Sequence, residues 1–483
     1  MMKVLNIQAV GRVIGFLLLI EAFFMLLSTF VAIGYQEDFW PLLFASIVTS
    51  CAGGLTLLFC PNRQSLGKRE GYLVVASIWV VFSLFGLIPY YTGGYIPSFT
   101  DAFFEAMSGF TATGASTIID VEILPKGITF WRIISQWIGG MGIIILSLAI
   151  IPMVSDGSMS LLGAEVTGPT KEKVHAKVGQ TAKAIWGLYV ILSIVEAMVL
   201  WLANMEPFDA ICHSLSTIST GGLSTKNAGL MFWDSPLIDY IVTLFMFFGG
   251  INFGLMYLCI CGQFSKLFKN EEFQWYTLSI IAFSLLMFVS MLFYHDHLGL
   301  ATNLRYSLFN ITSLISTTGF AHADISQWSP FVITLMLFAM LLGGSSGSTS
   351  GGIKTVRIVL LLKNTYYEFR RLIHPNAVVP VRFNGHVVNT QIINNVLAFI
   401  FMYVVVIVVS IIVFTATGMQ FQESLGTTFA ALTNVGNAMG DIGTQHYNEI
   451  STFAKWYMSF LMLVGRLELF TVLIVLTPAF WKR

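Results

Sequence analysis

The sequence predicts an all-α polytopic membrane protein. It reads as four helix–pore loop–helix repeats in pseudo-fourfold arrangement, preceded by two N-terminal transmembrane helices. Three observations lead there. First, the 483 residues are 56% hydrophobic and only 10% charged, where a soluble domain carries about 25% charged residues. Second, apolar runs such as Ile133–Met153 and Asn394–Thr417 approach or exceed the roughly 20 residues that cross a bilayer. Third, four short stretches resemble one another, and each interrupts a hydrophobic run at a similar place. They are Ser108-Gly109-Phe110-Thr111-Ala112-Thr113-Gly114-Ala115, Ser216-Thr217-Ile218-Ser219-Thr220-Gly221-Gly222-Leu223, Ser313-Leu314-Ile315-Ser316-Thr317-Thr318-Gly319-Phe320 and Leu432-Thr433-Asn434-Val435-Gly436-Asn437. Each leads small or hydroxylated residues into a glycine, and repetition of this kind marks a repeat architecture.

The first hydrophobic run, Val13–Ile33, is long, carries Glu21 and lacks a small-x-small cleavage site before Tyr35. It therefore reads as a retained helix rather than a signal peptide. With a second run near 40–60 it makes up segment 1–66. The first repeat, 67–156, holds a helix near 71–92, a pore helix near 99–110 and a helix near 130–153. The second, 157–268, uses 182–203, 208–218 and 236–262. The third, 269–382, uses 274–294, 301–315 and 330–362. The fourth, 383–483, uses 391–417, 423–433 and 453–478.

The 25 basic residues test this topology. Lys3, Arg12, Arg63, Lys68, Arg69, Lys171, Lys173, Lys177, Lys183, Lys266, Lys269, Lys354, Arg357, Lys363, Arg370, Arg371, Arg382, Lys482 and Arg483 fall on one side. Lys126, Arg132, Lys226, Arg305 and Lys455 fall on the other. The positive-inside rule then places both termini in the cytoplasm.

Re-entrant backbone at membrane depth is tolerated where protein or a water-filled cavity satisfies it. Four such loops are best satisfied around a shared axis, at which inward-pointing half-helices aim the partial negative charge of their C-termini. That favours a cation. Backbone carbonyls can replace the hydration shell of a large monovalent cation, and lining them up needs backbone angles that glycine adopts cheaply. The filter glycines are Gly114, Gly222, Gly319 and Gly436. Ala112 and Thr113, Thr220 and Gly221, Thr317 and Thr318, and Asn434 and Val435 supply carbonyls beside them. A gapless alignment of the fourth loop sets Met439 opposite the glycines, and Gly436 is taken by shifting it. No loop carries Asp or Glu at its core, which argues against a calcium-type acidic ring. Asp101, Glu105, Asp209 and Glu423 near the pore-helix starts read as N-terminal caps or as an acidic vestibule.

Gly343–Gly352 has Gly or Ser at every position but Thr349 and cannot continue a helix. It follows an apolar half-helix, and Ile353-Lys354-Thr355 comes after it. It reads as a gate below the filter rather than a passive linker, with Gly343, Gly344, Ser345, Ser346, Gly347, Gly351, Gly352 and Lys354 as its residues. Arg466 lies within the apolar stretch Phe453–Pro478. A charge there costs about 2.5–3.5 kcal/mol on insertion scales and must face a partner or water. It reads as a positive barrier on the ion path, with a structural ion pair as the alternative. Gly139-Gly140-Met141-Gly142 and Gly249-Gly250 read as packing or bending points. The five cysteines read as small buried hydrophobes. His213, His295 and His297 read as surface histidines near the outer face.

These features exclude most other classes. No nucleophile–base pair, HExxH or phosphate-binding loop is present; Gly343–Gly352 lacks the Gly-Lys-Ser/Thr ending, so an enzyme is not expected. Nothing points to nucleic acid, a bound organic cofactor or a nucleotide-binding domain in this chain. A sodium- or proton-coupled carrier of another small solute is the competing transporter reading; it would call for two inverted repeats and midplane acids.

With its four helix–pore–helix units, two extra N-terminal helices, four glycines, the Gly343–Thr355 stretch and Gly465-Arg466, the chain resembles the Trk/Ktr/HKT superfamily of potassium transporters, and within it the bacterial TrkH subunits. The resemblance covers nearly the whole chain. It implies potassium uptake across the bacterial inner membrane, a homodimer in which each protomer holds its own pore, and a cytosolic TrkA-type nucleotide-binding regulatory ring. In the wider family a serine at the first-loop glycine goes with sodium permeation, so Gly114 implies K⁺ as the transported ion. The fourth loop, Asn434-Val435-Gly436-Asn437-Ala438-Met439-Gly440, departs from the proline-containing TrkH form. The basic segments 171–183 and 354–382 are candidate docking surfaces for the partner, and lipid headgroups explain them as well. A membrane potential contributes about 2.3 kcal/mol per charge per 100 mV. Passive flow and coupled symport both stay open.

Overall fold

A computed structural model of the chain describes residues 5–60, 67–154, 178–294, 299–321, 328–376, 379–436 and 447–481. Helices dominate. α1 (Ile7–Gly34) and α2 (Trp40–Phe59) form an antiparallel pair; Asn6 caps α1 by accepting the Ala9 N–H at 3.2 Å, and Pro41 opens α2. The pair packs on the first unit, through α1 against α3 (Lys68–Gly86) and α6 (Lys126–Val154). α4 (Ile88–Thr92) continues α3 past Leu87, and α5 (Phe99–Phe110) is the short helix between them and α6.

The second unit holds α7 (Val178–Leu202), the short α8 (Pro207–Ile218), then α9 (Pro236–Gly249) and α10 (Phe253–Ile260), with α11 (Phe264–Phe268) leading out. The third holds α12 (Glu271–Tyr294), the short α13 (Leu300–Ile315), α14 (Pro330–Leu342) and α15 (Thr355–Ile373). The fourth holds α16 (Thr390–Ala416), the short α17 (Phe421–Leu432), α18 (Thr452–Arg466), α19 (Leu469–Leu476) and α20 (Pro478–Trp481).

Among the described residues, six helices are long and apolar enough to cross a membrane, and eight if each of two bent pairs counts as one span. α6, with 29 residues, and the interrupted α14–α15 pair stand at the two remaining positions where the sequence predicts spans. The burial pattern is that of a membrane protein. Large apolar side chains face outward, such as Phe16, Phe23 and Phe30 on α1, while α5, α8, α13 and α17 bury polar residues in the middle. Ser108, Thr217, Asn303, Ser307 and Thr428 are all inside.

Two spans differ from the sequence expectation. The helices expected over 236–262 and 453–478 are each broken, by 106° between α9 and α10 and by 119° between α18 and α19. Both breaks have a local and a distant cause. Asn252 restarts α10 by accepting the Leu255 N–H at 3.1 Å, and Glu468 takes a positive φ of 62° ahead of α19. The backbone groups freed at the first break are then taken up by the 343–352 loop. Ser345 N–H donates to the Gly250 carbonyl at 2.8 Å, and Phe253 N–H donates to the Gly347 carbonyl at 3.2 Å. A helix can open inside a membrane only where such partners exist.

One element is unannounced in the sequence reading. β1 (Arg382–Phe383) and β2 (His386–Val387) pair antiparallel around Asn384-Gly385, both with positive φ. Asn-Gly is the strongest short hairpin signal, because both central residues of a type I′ turn need φ above zero. The Asn384 side chain accepts the Glu271 N–H at 2.8 Å and so ties the hairpin to the start of α12.

Candidate functional site

The four short helices end alike. Past α5, Thr113 N–H donates to the Ser108 carbonyl at 2.9 Å; past α8, Gly221 to Ser216 at 2.9 Å; past α13, Thr318 to Ser313 at 2.8 Å; past α17, Val435 to Ala430 at 3.1 Å. In each case the preceding residue is left-handed: Ala112 (φ 50°), Thr220 (53°), Thr317 (57°) and Asn434 (56°). This is the six-to-one closure of a Schellman turn, normally made with glycine. A left-handed non-glycine residue costs about 1–2 kcal/mol. The loops hold it four times, twice with a β-branched threonine, and nothing in the sequence signals it.

The glycines that follow, Gly114 (φ 84°), Gly222 (76°), Gly319 (83°) and Gly436 (74°), are also left-handed. Their surroundings form a cycle. A Cβ on Gly114 would overlap the Gly221 carbonyl oxygen, one on Gly222 that of Thr318, one on Gly319 that of Val435, and one on Gly436 that of Thr113. Each loop thus presses the carbonyl before its glycine against the glycine of the loop before it, and the fourth closes on the first. The fourth loop takes part through Asn434, Val435 and Gly436; Asn437, Ala438, Met439 and Gly440 lie outside the described residues.

Side chains fix the ring from behind. The Asn434 amide donates to Thr113 Oγ1 at 2.9 Å and to the Met462 carbonyl at 2.9 Å. The Gln136 amide donates to the Gly221 carbonyl at 2.7 Å. Tyr447 O–H donates to the Gly436 carbonyl at 2.9 Å. No carboxylate stands in the ring, and no His, Cys, Asp or Glu cluster fit to hold a metal occurs among the described residues. Oxygen donors without a formal charge suit a weakly hydrated monovalent cation in passage, not a tightly held divalent one.

The acidic residues near the short helices are mostly occupied. Glu423 caps α17, accepting the Gln420 N–H at 3.0 Å. Asp101 pairs with Lys455 at 2.6 Å, and Asp209 accepts the Thr225 hydroxyl at 2.8 Å. Glu105 is neither cap nor vestibule. It is buried, pairs with Arg132 at 2.5 Å, and accepts from Ser116 O–H at 3.1 Å and Thr117 N–H at 3.0 Å. Arg132→Met is expected to leave an uncompensated buried carboxylate and to cost about 3–5 kcal/mol, whereas the double variant Glu105→Met/Arg132→Met recovers most of it. Thermal unfolding in detergent measures both.

The segment Gly343–Gly352 lies against the C-terminal ends of the short helices. Thr349 O–H reaches the Ile218 carbonyl at 3.0 Å and the Gly249 carbonyl at 3.1 Å. Gly351 N–H donates to Thr317 Oγ1 at 2.7 Å, so the segment touches a ring loop directly. Asn252 holds the Ser346 carbonyl at 2.6 Å, and Glu272 accepts Ser346 N–H at 2.6 Å. Gly343, Gly347 and Gly352 have positive φ, and Gly344 and Ser345 are packed beside the Gly250 carbonyl. The Lys354 ammonium folds back onto the Ser350 carbonyl. Arg466, 4% exposed, donates from Nη1 to the Thr349 carbonyl at 2.5 Å. Its neighbour Glu468 pairs instead with Arg357, at 2.6 Å. Glu272 was missed in the sequence because an acid in a first turn is ordinarily a dipole partner.

Other expectations change. His213 is fully buried rather than on the surface; its ring stands behind the second loop, against Trp233 and Phe320. His295, His297, Lys171, Lys173 and Lys177 lie outside the described residues. Of the five cysteines, all free, only Cys212 is buried, and Cys51 and Cys261 are exposed. Gly139 abuts the Phe110 carbonyl, a close approach that a side chain would block, and Gly249 lies beside the Thr220 side chain.

Comparison with known proteins adds a family. A family model described as TrkH, cation transport protein, matches residues 42–483. The Trk system potassium uptake protein TrkH of Salmonella typhimurium is 35% identical over 484 residues, covering 99% of this chain and all of the relative. The Trk system potassium uptake protein TrkG of Escherichia coli is 30% identical over the whole of both chains. The crystal structure of the potassium transporter TrkH from Vibrio parahaemolyticus superposes with a TM-score of 0.91 at 34% identity, covering 99% of this chain and all of that one.

Proposed function

The chain belongs to the TrkH family of cation transport proteins, a transporter family and not an enzyme family, and from that premise we propose that it takes up potassium through the ring of four loops. The observation that carries this reading is the cycle in which four backbone carbonyls meet four left-handed glycines and the fourth loop returns to the first. Fourfold closure is what a carbonyl-lined pore needs, and an inverted-repeat carrier would be twofold. Potassium is the ion named for the relatives. Ala112, Thr113 and Gly114 with their counterparts in the other loops form the filter.

The 343–352 segment is the gate in this reading. It stands where the helix C-termini converge, it is hydrogen-bonded to a filter loop through Gly351 and Thr317, and it is pinned by Glu272 and Arg466. A cytosolic TrkA-type ring moves it. The relatives are named as parts of a Trk system, and α15 leads from the gate to exposed Arg370 and partly exposed Arg371. The protein works as a homodimer in the bacterial inner membrane, with both termini cytoplasmic, as the sided distribution of its basic residues supports.

Rubidium-86 uptake into potassium-loaded proteoliposomes tests the filter. External K⁺ and Rb⁺ are expected to compete and Na⁺ and Li⁺ not to; equal competition by Na⁺ overturns the filter assignment. Repeating the assay with the potential clamped and the pH gradient collapsed separates passive flow from proton symport.

A further inference from the structure

We propose that His213 is a positioning residue for ion selectivity: as a neutral hydrogen-bond acceptor behind the second filter loop, it anchors the limb that leaves the filter by holding Ser224. The inference rests on the pore reading above and concerns a group that reading does not use.

Two partners fix the imidazole, a carbonyl and a hydroxyl. His213 Nδ1 lies 2.8 Å from the Asp209 carbonyl oxygen, and Nε2 lies 3.0 Å from Ser224 Oγ. A carbonyl oxygen only accepts, so Nδ1 carries the proton, and in the neutral ring that the proposal assigns Nε2 is the acceptor. The Ser224 hydroxyl therefore donates to the ring, while its oxygen accepts Lys226 N–H at 3.0 Å. The hydroxyl is fixed from both sides.

The first loop has the same device in other chemistry. Ser116 stands two residues after Gly114, as Ser224 stands two after Gly222. Glu105 stands nine residues before its glycine, as His213 does before Gly222. Ser116 O–H donates to Glu105 at 3.1 Å, and Ser116 Oγ accepts Ile118 N–H at 3.1 Å. One register, one serine, one backbone turn and one buried acceptor thus recur in two repeats, with carboxylate and imidazole exchanged. After the third loop the matching position is Ala321, which has no hydroxyl to hold.

The two anchors are joined. Arg132, paired with Glu105, also reaches the Ser224 carbonyl at 3.4 Å. The His213 ring in turn lies 6.0 Å from that of Phe320, which directly follows Gly319, and 5.0 Å from Trp233. His213 is a wedge between the limbs leaving the second and third loops. Gly222 sits against the Thr318 carbonyl, so a shift of the limb at Ser224 is transmitted to the contact between those two loops. A ring loosened on one side no longer replaces a hydration shell of one size, and discrimination falls before conduction does.

The test uses the full-length protein in proteoliposomes, with rubidium-86 uptake and sodium competition measured for wild type, Ser224→Ala, His213→Phe and His213→Gln. Ser224→Ala removes only the held hydroxyl. His213→Phe keeps the ring and removes the acceptor. His213→Gln restores an acceptor. Ser224→Ala and His213→Phe are expected to raise the KM for rubidium and to let sodium compete about tenfold better, the worth of one hydrogen bond, with the maximal rate kept; His213→Gln is expected to stay near wild type. Should His213→Phe fail to fold, Ser224→Ala decides alone. Ser224→Ala with unchanged KM and unchanged sodium competition overturns the proposal, as does a glutamine variant as unselective as the phenylalanine one. Wild-type protein that does not prefer rubidium to sodium sinks the pore reading itself, and the inference with it.

Discussion

Replacing Arg466 by alanine is expected to raise potassium-driven rubidium uptake by roughly ten- to a hundredfold. The guanidinium is buried, and it donates to the Thr349 carbonyl in the middle of the 343–352 segment. A hydrogen bond from a charged donor is worth about 1.5–3 kcal/mol, and about 1.4 kcal/mol is tenfold in an equilibrium. Losing it removes the one hold made by a charged donor to Thr349, while neutral and acceptor contacts stay: Glu272 and Asn252 at Ser346, Ser345 on Gly250, Phe253 on Gly347, Gly351 on Thr317 and Thr349 O–H on two carbonyls. On the proposed pore reading the same change also removes a positive charge from the ion path, and both effects act in one direction. Uptake by the protein alone in proteoliposomes is the measurement. Arg466→Lys separates the two effects: the charge stays, but a compact ammonium does not reproduce the planar guanidinium's approach to the Thr349 carbonyl. Flux intermediate between wild type and the alanine variant is expected. Unchanged flux in Arg466→Ala would make the arginine a packing element and take the barrier role from it.

What was legible in the sequence follows the range of the interactions involved. The short helix expected near 99–110 is found at Phe99–Phe110, because Ser98 caps it locally and the helix ends where Thr111 begins a turn set by neighbours a few residues away. The spans were legible for the same reason: apolar composition is a property of the segment itself. The breaks at Gly250 and Glu468 were not. Gly249-Gly250 permits a bend, but the bend exists because Ser345 and Gly347, far along the chain, take up the freed backbone groups. Glu468 gave no sign of a left-handed turn, and its partner Arg357 is supplied by another unit. His213 misled because a histidine near a membrane surface is usually solvated; its burial depends on Trp233 and Phe320 folding over it. Asn384-Gly385 was different: the hairpin signal was present and local.

The largest loss is expected at a glycine of the proposed filter, and Gly222→Ala is the clearest case. Two independent costs fall on the same atom. At φ 76° an alanine pays about 1–2 kcal/mol for the left-handed backbone. Its Cβ would also overlap the Thr318 carbonyl oxygen, and that group cannot retreat freely. Thr318 N–H is closed onto Ser313 at 2.8 Å, and Thr318 Oγ1 bonds Ser316 Oγ at 2.8 Å. Relief comes only by opening the ring between the second and third loops. Rubidium uptake is therefore expected to lose its preference over sodium by about a hundredfold, the value of roughly 3 kcal/mol, with the protein still folded. Gly187→Ala is the matched control. Gly187 lies within α7 with nothing near its would-be Cβ, so alanine there should stabilise by up to about 1 kcal/mol through helix propensity and leave selectivity unchanged. If Gly222→Ala discriminates as well as Gly187→Ala, the ring of left-handed glycines is scaffold, and the ion is selected elsewhere along the path.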